Sequence, residues 1–95
     1  MNIKELIAKK QDIISIASKH GAYNIRVFGS VARGEANENS DIDFLVDLGD
    51  NLSPWFPVRL IRDLEQLLNK KVDVVTENGL KERIRKRVID EAISL

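Results

Sequence analysis

The stretch Phe28–Val46, FGSVARGEANENSDIDFLV, decides the fold of this 95-residue chain. An apolar strand end runs into a turn at Gly29 and Ser30, and a polar connection leads to two aspartates, Asp41 and Asp43, that alternate with apolar residues. Successive side chains of a β-strand point to opposite faces, so this spacing predicts two carboxylates on one face, about 7 Å apart. Such a pair is unfavourable for folding, and a bound divalent cation is the simplest way to stabilise it.

The turn before the polar connection predicts an anion site. Gly29 tolerates backbone conformations closed to other residues and lets a ligand approach the main chain. Ser30 stands where a short helix can begin, and the free N–H groups of such a start, with the serine hydroxyl, suit the phosphates of a nucleotide. The alternative is an ordinary Gly-Ser turn. Arg33 can either reach phosphate oxygens or pair with Glu35 or Glu38, and the sequence leaves both interpretations open.

Together these motifs resemble a known family. Gly29-Ser30, then ten intervening residues, then Asp41-Ile42-Asp43 is a pattern similar to the signature of the polymerase-β-like nucleotidyltransferases. The fuller segments Gly29–Gly34 and Ser40–Phe44 resemble the smallest branch of that superfamily, the minimal nucleotidyltransferases, which are usually antitoxins beside HEPN-domain toxins. The resemblance implies an enzyme that transfers AMP from ATP to a tyrosine of a partner HEPN ribonuclease toxin, with which it forms a hetero-oligomeric complex.

A third carboxylate, Asp73, lies within the apolar run Val72–Thr76, which has the composition of a strand. A buried charge needs a partner, so a salt bridge to Lys70, Lys71 or an arginine is one interpretation. In the resembled family the matching strand lies beside the aspartate pair and supplies a third carboxylate. The resemblance therefore implies that Asp73 joins the pair as catalytic residues and ligands of two Mg²⁺ ions, with Gly29, Ser30 and Arg33 binding the nucleotide.

Composition narrows the function further. The 15 Lys and Arg residues balance 15 Asp and Glu residues, which removes the broad attraction that non-specific nucleic-acid binding needs and disfavours a free-standing polymerase. The chain has no cysteine, so disulfides and thiolate zinc sites are excluded, and its single histidine means that a metal would be held mainly by oxygen. No run of 18 apolar residues and no signal-peptide core occur, so we expect a cytoplasmic protein.

The periodicity predicts one domain, residues 1–95, of the α/β (α+β) class, with a small mixed sheet of about three strands and helices packed mainly on one side. The predicted elements, in chain order, are a helix over 3–19, a strand over 25–28, a helical turn after Ser30, a strand over 42–46, a helix over 58–68, a strand over 72–76 and a long helix from about Leu80 to Ile93. The long last helix has a cationic side, interpreted as a solvated face or as a surface for an acidic partner.

Three isolated features allow more than one role. His20, at the predicted end of the first helix, is interpreted as structural rather than catalytic. Asp47 is expected to be a solvated turn residue at the end of its strand rather than a metal ligand. Trp55 and Phe56 lie between two prolines, and their rings are expected to pack on the core, with base stacking or partner contact as the alternative.

Two other functions remain compatible with the residues. The chain could neutralise a partner by masking it, with a vestigial nucleotide site, or it could transfer a nucleotide to a small molecule such as an aminoglycoside. The intact set Asp41, Asp43 and Asp73 argues against a vestigial site.

Overall fold

A computed structural model describes all of residues 1–95. Its helices are α1 (Ile3–Ala8), α2 (Lys10–Lys19), α3 (Ser30–Arg33), α4 (Val58–Leu68) and α5 (Glu82–Glu91). Its strands are β1 (Ala22–Phe28), β2 (Ile42–Leu48), β3 (Val72–Val75) and β4 (Ile93–Ser94), and a 3-10 turn covers Glu77–Gly79.

The four strands form one mixed sheet in the order β3-β2-β1-β4. Strand β1 runs antiparallel to both β2 and β4, whereas β2 and β3 are parallel. The parallel register sets Asp43 directly beside Asp73, and the antiparallel register sets Phe28, the residue before Gly29, beside Asp43. Topology thus brings the Gly-Ser turn and two of the three predicted carboxylates to one place.

One face of the sheet and the helices α1, α2 and α4 share a single hydrophobic core. The alternation of each strand decides which side chains enter it: Ile42, Phe44 and Val46 of β2 are buried there, while Asp43 lies on the other face. The helices contribute Leu6, Ile13, Ala17, Leu60, Leu64 and Leu68. This confirms the expected α/β class with helices mainly on one side.

Several boundaries differ from the predicted ones, and three of the differences change an element. The first helix is broken at Lys9, which has φ −104° and ψ 10°, so α1 and α2 turn separately towards the core. Strand β1 begins at Ala22 rather than at residue 25. The prediction missed its first residues because an irregularity between Tyr23 and Arg26 interrupts the alternation of apolar and polar side chains. The last helix ends at Glu91, and a fourth strand follows, since Leu95 and its neighbours pair with the free edge of β1.

His20 is a structural residue, as predicted, although its surroundings differ from a cation at a helix end. Its ring is buried and lies 2.8 Å (Nδ1) from Ser53 Oγ and 2.7 Å (Nε2) from Asp63 Oδ2. The imidazole therefore ties the end of α2 to the β2–α4 loop and to α4.

The two aromatic residues of the β2–α4 loop separate. Phe56 packs against the core, as expected, whereas the side chain of Trp55 is 76% exposed, so its predicted core packing is wrong. The loop is bonded through Ser53 to His20, just before the start of β1, which places Trp55 at the opposite end of the sheet from Asp43. Base stacking by Trp55 at the aspartates does not fit that position.

No helix is both long and apolar enough to cross a bilayer.

Candidate active site

The predicted carboxylates lie at one end of the parallel pair β2–β3. Asp43 is half-buried within β2, Asp73 is exposed on β3 in direct register with it, and Asp41 is exposed just before β2 begins. Burial raises the pKa of Asp43 above its ordinary value of 3.8, and the negative charges of Asp73 and Asp41 raise it further. The three groups therefore act electrostatically as one acidic cluster centred on Asp43.

Asp73 reaches this cluster for a different reason from the one the sequence suggested. It is exposed, so it needs no buried partner, and no ion pair to Lys70, Lys71 or an arginine forms. The salt-bridge interpretation is wrong because the face of β3 that carries Asp73 is open to solvent. An exposed carboxylate beside a half-buried one leaves room for a ligand.

Asp47 takes no part in the cluster, but its expected place in a turn is wrong. It lies within β2, four residues beyond Asp43 on the same face, and accepts a 2.8 Å bond from Arg26 Nη2. The buried Arg26 is also paired with Glu77 at 3.0 Å. This ion-paired group secures the 3-10 turn against the sheet.

The Gly-Ser turn follows the end of β1 immediately beside Asp43. Gly29 is buried and has φ 76° and ψ −154°, a conformation that side chains rarely adopt. A Cβ atom at this position would collide with Oδ2 of Asp43. The glycine is therefore required both by its backbone angles and by the close approach of the carboxylate, and Ser30 begins α3 at the rim of the acidic cluster.

One charged residue near the turn, Glu91, belongs to no sequence motif. Glu91 accepts a 2.8 Å bond from the Gly29 N–H and a 2.9 Å bond from Arg33 Nη1. Burial raises the pKa of Glu91, but these two hydrogen bonds and the charges of Arg33 and Arg87 lower it overall, below the ordinary 4.5. Arg33 pairs with Glu35 and Glu91, not with Glu38, and the hydrogen bond that it donates to Glu35 is the main reason that the pKa of Arg33 is raised.

The donor set fits magnesium that is shared with a nucleotide. No group of three or more acidic or imidazole side chains is closed into a ready-made ion site. Magnesium nevertheless suits this arrangement, because it is usually held by one or two carboxylates together with waters and substrate phosphates. Asp43 and Asp73, adjacent and mutually repelling, provide such oxygens, and the Gly29–Ser30 turn lies beside them.

Fold and site together define a nucleotidyltransferase. The nucleotidyltransferase domain model matches residues 10–95, and the chain belongs to that family. It is 43% identical to a candidate protein adenylyltransferase of Methanocaldococcus jannaschii, over 100% of this chain and 99% of the relative. It is 40% identical to protein adenylyltransferase MntA of Thermococcus cleftensis, over 93% of this chain and 86% of that protein.

Solved structures agree with the sequence relatives. A candidate minimal nucleotidyltransferase superposes with a TM-score of 0.85 and 45% identity, covering 100% of this chain and 97% of the other. A toxin–antitoxin complex with AMP-PNP superposes with a TM-score of 0.74 and 25% identity, covering 90% of this chain and 70% of the other. The resemblance to the minimal nucleotidyltransferases, read from the two motifs, is confirmed.

Proposed function

We propose that this nucleotidyltransferase is an antitoxin that transfers AMP from ATP to a tyrosine hydroxyl of a partner HEPN ribonuclease toxin, with release of pyrophosphate. The observation that carries the proposal is the register pair of Asp43 and Asp73 beside the Gly29 turn. Support for ATP as donor and for a toxin as partner comes from relatives described as protein adenylyltransferases and from a toxin–antitoxin structure that contains AMP-PNP.

In this proposal the acidic cluster and the turn divide the nucleotide between them. Asp41, Asp43 and Asp73 would hold two Mg²⁺ ions. Gly29 and Ser30 would bind the β- and γ-phosphates: Gly29 lets them approach the main chain while its own N–H stays bonded to Glu91, and Ser30 offers its hydroxyl and N–H. Arg33 lies at the rim of the turn, 46% exposed, where its guanidinium can contact the same phosphates. Bound magnesium would neutralise triphosphate charge and polarise the reacting phosphate.

The residues of the chain then orient the triphosphate and deprotonate the acceptor hydroxyl. The turn fixes the triphosphate so that the α-phosphate faces the acceptor, which converts the encounter into a reaction between positioned groups. Asp73 accepts the proton of the acceptor hydroxyl, whose oxygen forms a bond to the α-phosphorus. The bond from that phosphorus to the leaving oxygen breaks, and pyrophosphate departs. An exposed Asp73 suits this role, because its proton donor arrives on another molecule.

The size of the site favours a protein acceptor. Asp73 is exposed on the edge strand β3, so a small acceptor beside it would find few groups of the chain to hold it. A docked protein brings its own binding surface. This argues for a tyrosine on a partner rather than for an aminoglycoside or another small molecule.

The direct test uses the purified chain, its partner toxin, magnesium and ATP labelled at the α-phosphate. We expect label on the partner, and the double variant Asp41→Asn with Asp43→Asn should remove it. Asp50→Asn, which neutralises an exposed loop carboxylate, is the matched control and should label normally. Absence of label with the native chain, or equal label with the double variant, would leave only inhibition by masking.

A further inference from the structure

The carboxylate of Glu91 lies where the C-terminal end of the chain meets the Gly-Ser turn. Its two oxygens have different partners: Oε2 accepts the N–H of Gly29 at 2.8 Å, and Oε1 accepts Arg33 Nη1 at 2.9 Å. The side chain is only 16% exposed, far less than the 64% of Glu35, the other carboxylate paired with Arg33. Glu91 is thus the sheltered partner of two groups that the proposed nucleotide site uses.

The sheet explains how Glu91 comes to this position. Val27 pairs with Ile93 in the antiparallel β1–β4 register. Gly29 lies two residues after Val27 and Glu91 two residues before Ile93, so the same register sets Gly29 opposite Glu91. The ladder has already ended there, because Glu91 is the last residue of α5. The glycine N–H therefore bonds the glutamate side chain in place of a backbone carbonyl.

The same contact determines where the Arg33 guanidinium points. Arg33 donates one hydrogen bond from Nε to Glu35 and one from Nη1 to Glu91, so its Nη2 remains for a ligand. Arg33 is half exposed and is the last residue of a four-residue helix, and a long side chain in such a place has many rotamers available. A fixed, sheltered carboxylate restricts that choice to one side of the turn.

We propose that Glu91 is a positioning residue for nucleotide binding: it holds the Gly29 turn and the Arg33 guanidinium in the arrangement that receives the triphosphate. The inference rests on the proposed ATP-dependent function. It assigns Glu91 no contact with the nucleotide. It makes the C-terminal end of the chain, which no motif marks, part of the machinery of the site.

Charge and positioning predict opposite effects, which makes the inference testable. Removing a negative charge near a triphosphate should by itself tighten binding of ATP, since like charges repel. Loss of a positioning contact should weaken binding instead. Outer partners of metal ligands typically contribute tenfold or more to affinity, and we expect an effect of the same order for the partner of Arg33, so that positioning prevails.

The experiment titrates MgATP into the full chain by calorimetry, with three variants compared. Glu91→Gln keeps the shape of the side chain but cannot accept from both donors, and we expect ATP to bind about tenfold more weakly. Glu35→Gln removes the exposed partner of Arg33, and Asp90→Asn removes the neighbouring exposed charge on α5; both should bind within about twofold of the native chain. In the transfer assay, Glu91→Gln should raise KM for ATP with little change in kcat.

Each outcome decides the inference. Unchanged or tighter ATP binding by Glu91→Gln, with a native chain that binds ATP, overturns the positioning role and leaves the proposed function intact. A native chain that binds no ATP overturns both. Should Glu91→Gln fail to fold, Glu91→Asp keeps the charge but is too short to span both donors, and it must also weaken ATP binding for the inference to stand.

Discussion

At the scale of single residues, Asp43 shows a conflict between stability and function. It is half-buried beside one carboxylate and close to another, and its pKa is raised by burial first and then by Asp73 and Asp41. The folded protein therefore retains the Asp43 proton to a higher pH than the unfolded chain does. Its stability falls as pH rises from 3.8 through the raised pKa, and the penalty is fully present above that raised pKa.

Asp43→Asn removes that penalty, and we expect the variant to be more stable than the native chain by about 0.2–1 kcal/mol near neutral pH, the scale of a like-charge pair in a sheet. Nucleotide transfer should fall at least about 100-fold, because a proposed metal ligand is lost. Thermal unfolding measured from pH 3 to 7 checks the first expectation, with the difference growing as pH rises. A variant that is less stable at pH 7 would contradict the account.

Gly29 and Gly34 offer a matched pair of tests. Both have positive φ, 76° and 74°, but a Cβ at Gly29 would strike Asp43, whereas a Cβ at Gly34 would meet nothing within 4 Å. Gly29→Ala should cost about 1–3 kcal/mol and abolish ATP binding, and Gly34→Ala should cost about 1 kcal/mol and keep it. Calorimetric titration with MgATP separates the two. Equal ATP affinity in both variants would mean that the Gly29 turn does not bind the phosphates.

At the scale of elements, His20 joins three segments through one buried ring. His20→Ala leaves Ser53 and Asp63 without their partner, and we expect a loss of about 1–3 kcal/mol in the free energy of unfolding. Nucleotide transfer at a temperature where the variant remains folded should be unchanged, because the ring lies at the other end of the sheet from Asp43. Denaturant unfolding combined with the labelling assay checks both parts. A folded variant without activity would make the structural interpretation of His20 wrong.

Periodic elements were predictable from the sequence, and their interruptions were not. The core positions of α4 and the alternation of β2 follow directly from the spacing of apolar residues. The break at Lys9 is not visible in the sequence, because the apolar residues on both sides of it keep a helical spacing. Strand β4 has two residues and depends wholly on the edge of β1, a long-range contact that local sequence cannot reveal.

The candidate site likewise contains residues that the sequence predicts and residues that it does not. Gly29, Ser30, Asp41 and Asp43 were marked by motif spacing, which is local, and the parallel register then placed Asp73 where the family resemblance implied. Burial of Asp73 was mistaken, since an apolar run does not show which face of an edge strand is covered. Glu91 could not be found, because its link to Gly29 exists only after β4 has paired.

At the scale of the whole molecule, the proposed nucleotide site and the exposed ring of Trp55 lie at opposite ends of the sheet. Trp55 is 76% exposed, so Trp55→Ala should change the free energy of unfolding by less than about 0.5 kcal/mol and leave ATP affinity unaltered. Thermal unfolding and MgATP titration of the variant check these expectations. A loss above about 2 kcal/mol in the free energy of unfolding would show that the ring packs on the core, and weakened ATP binding would show that it contacts the nucleotide.

The molecule as a whole is proposed to gather two ions and a triphosphate at the junction of β1, β2 and β3. The most direct test is a crystal of the native chain grown with AMP-PNP and Mn²⁺, whose anomalous scattering locates the ions. We predict two manganese peaks among Asp41, Asp43 and Asp73, with the β- and γ-phosphates on the Gly29–Ser30 turn. Ions bound away from these carboxylates, or a triphosphate placed elsewhere, would contradict the account.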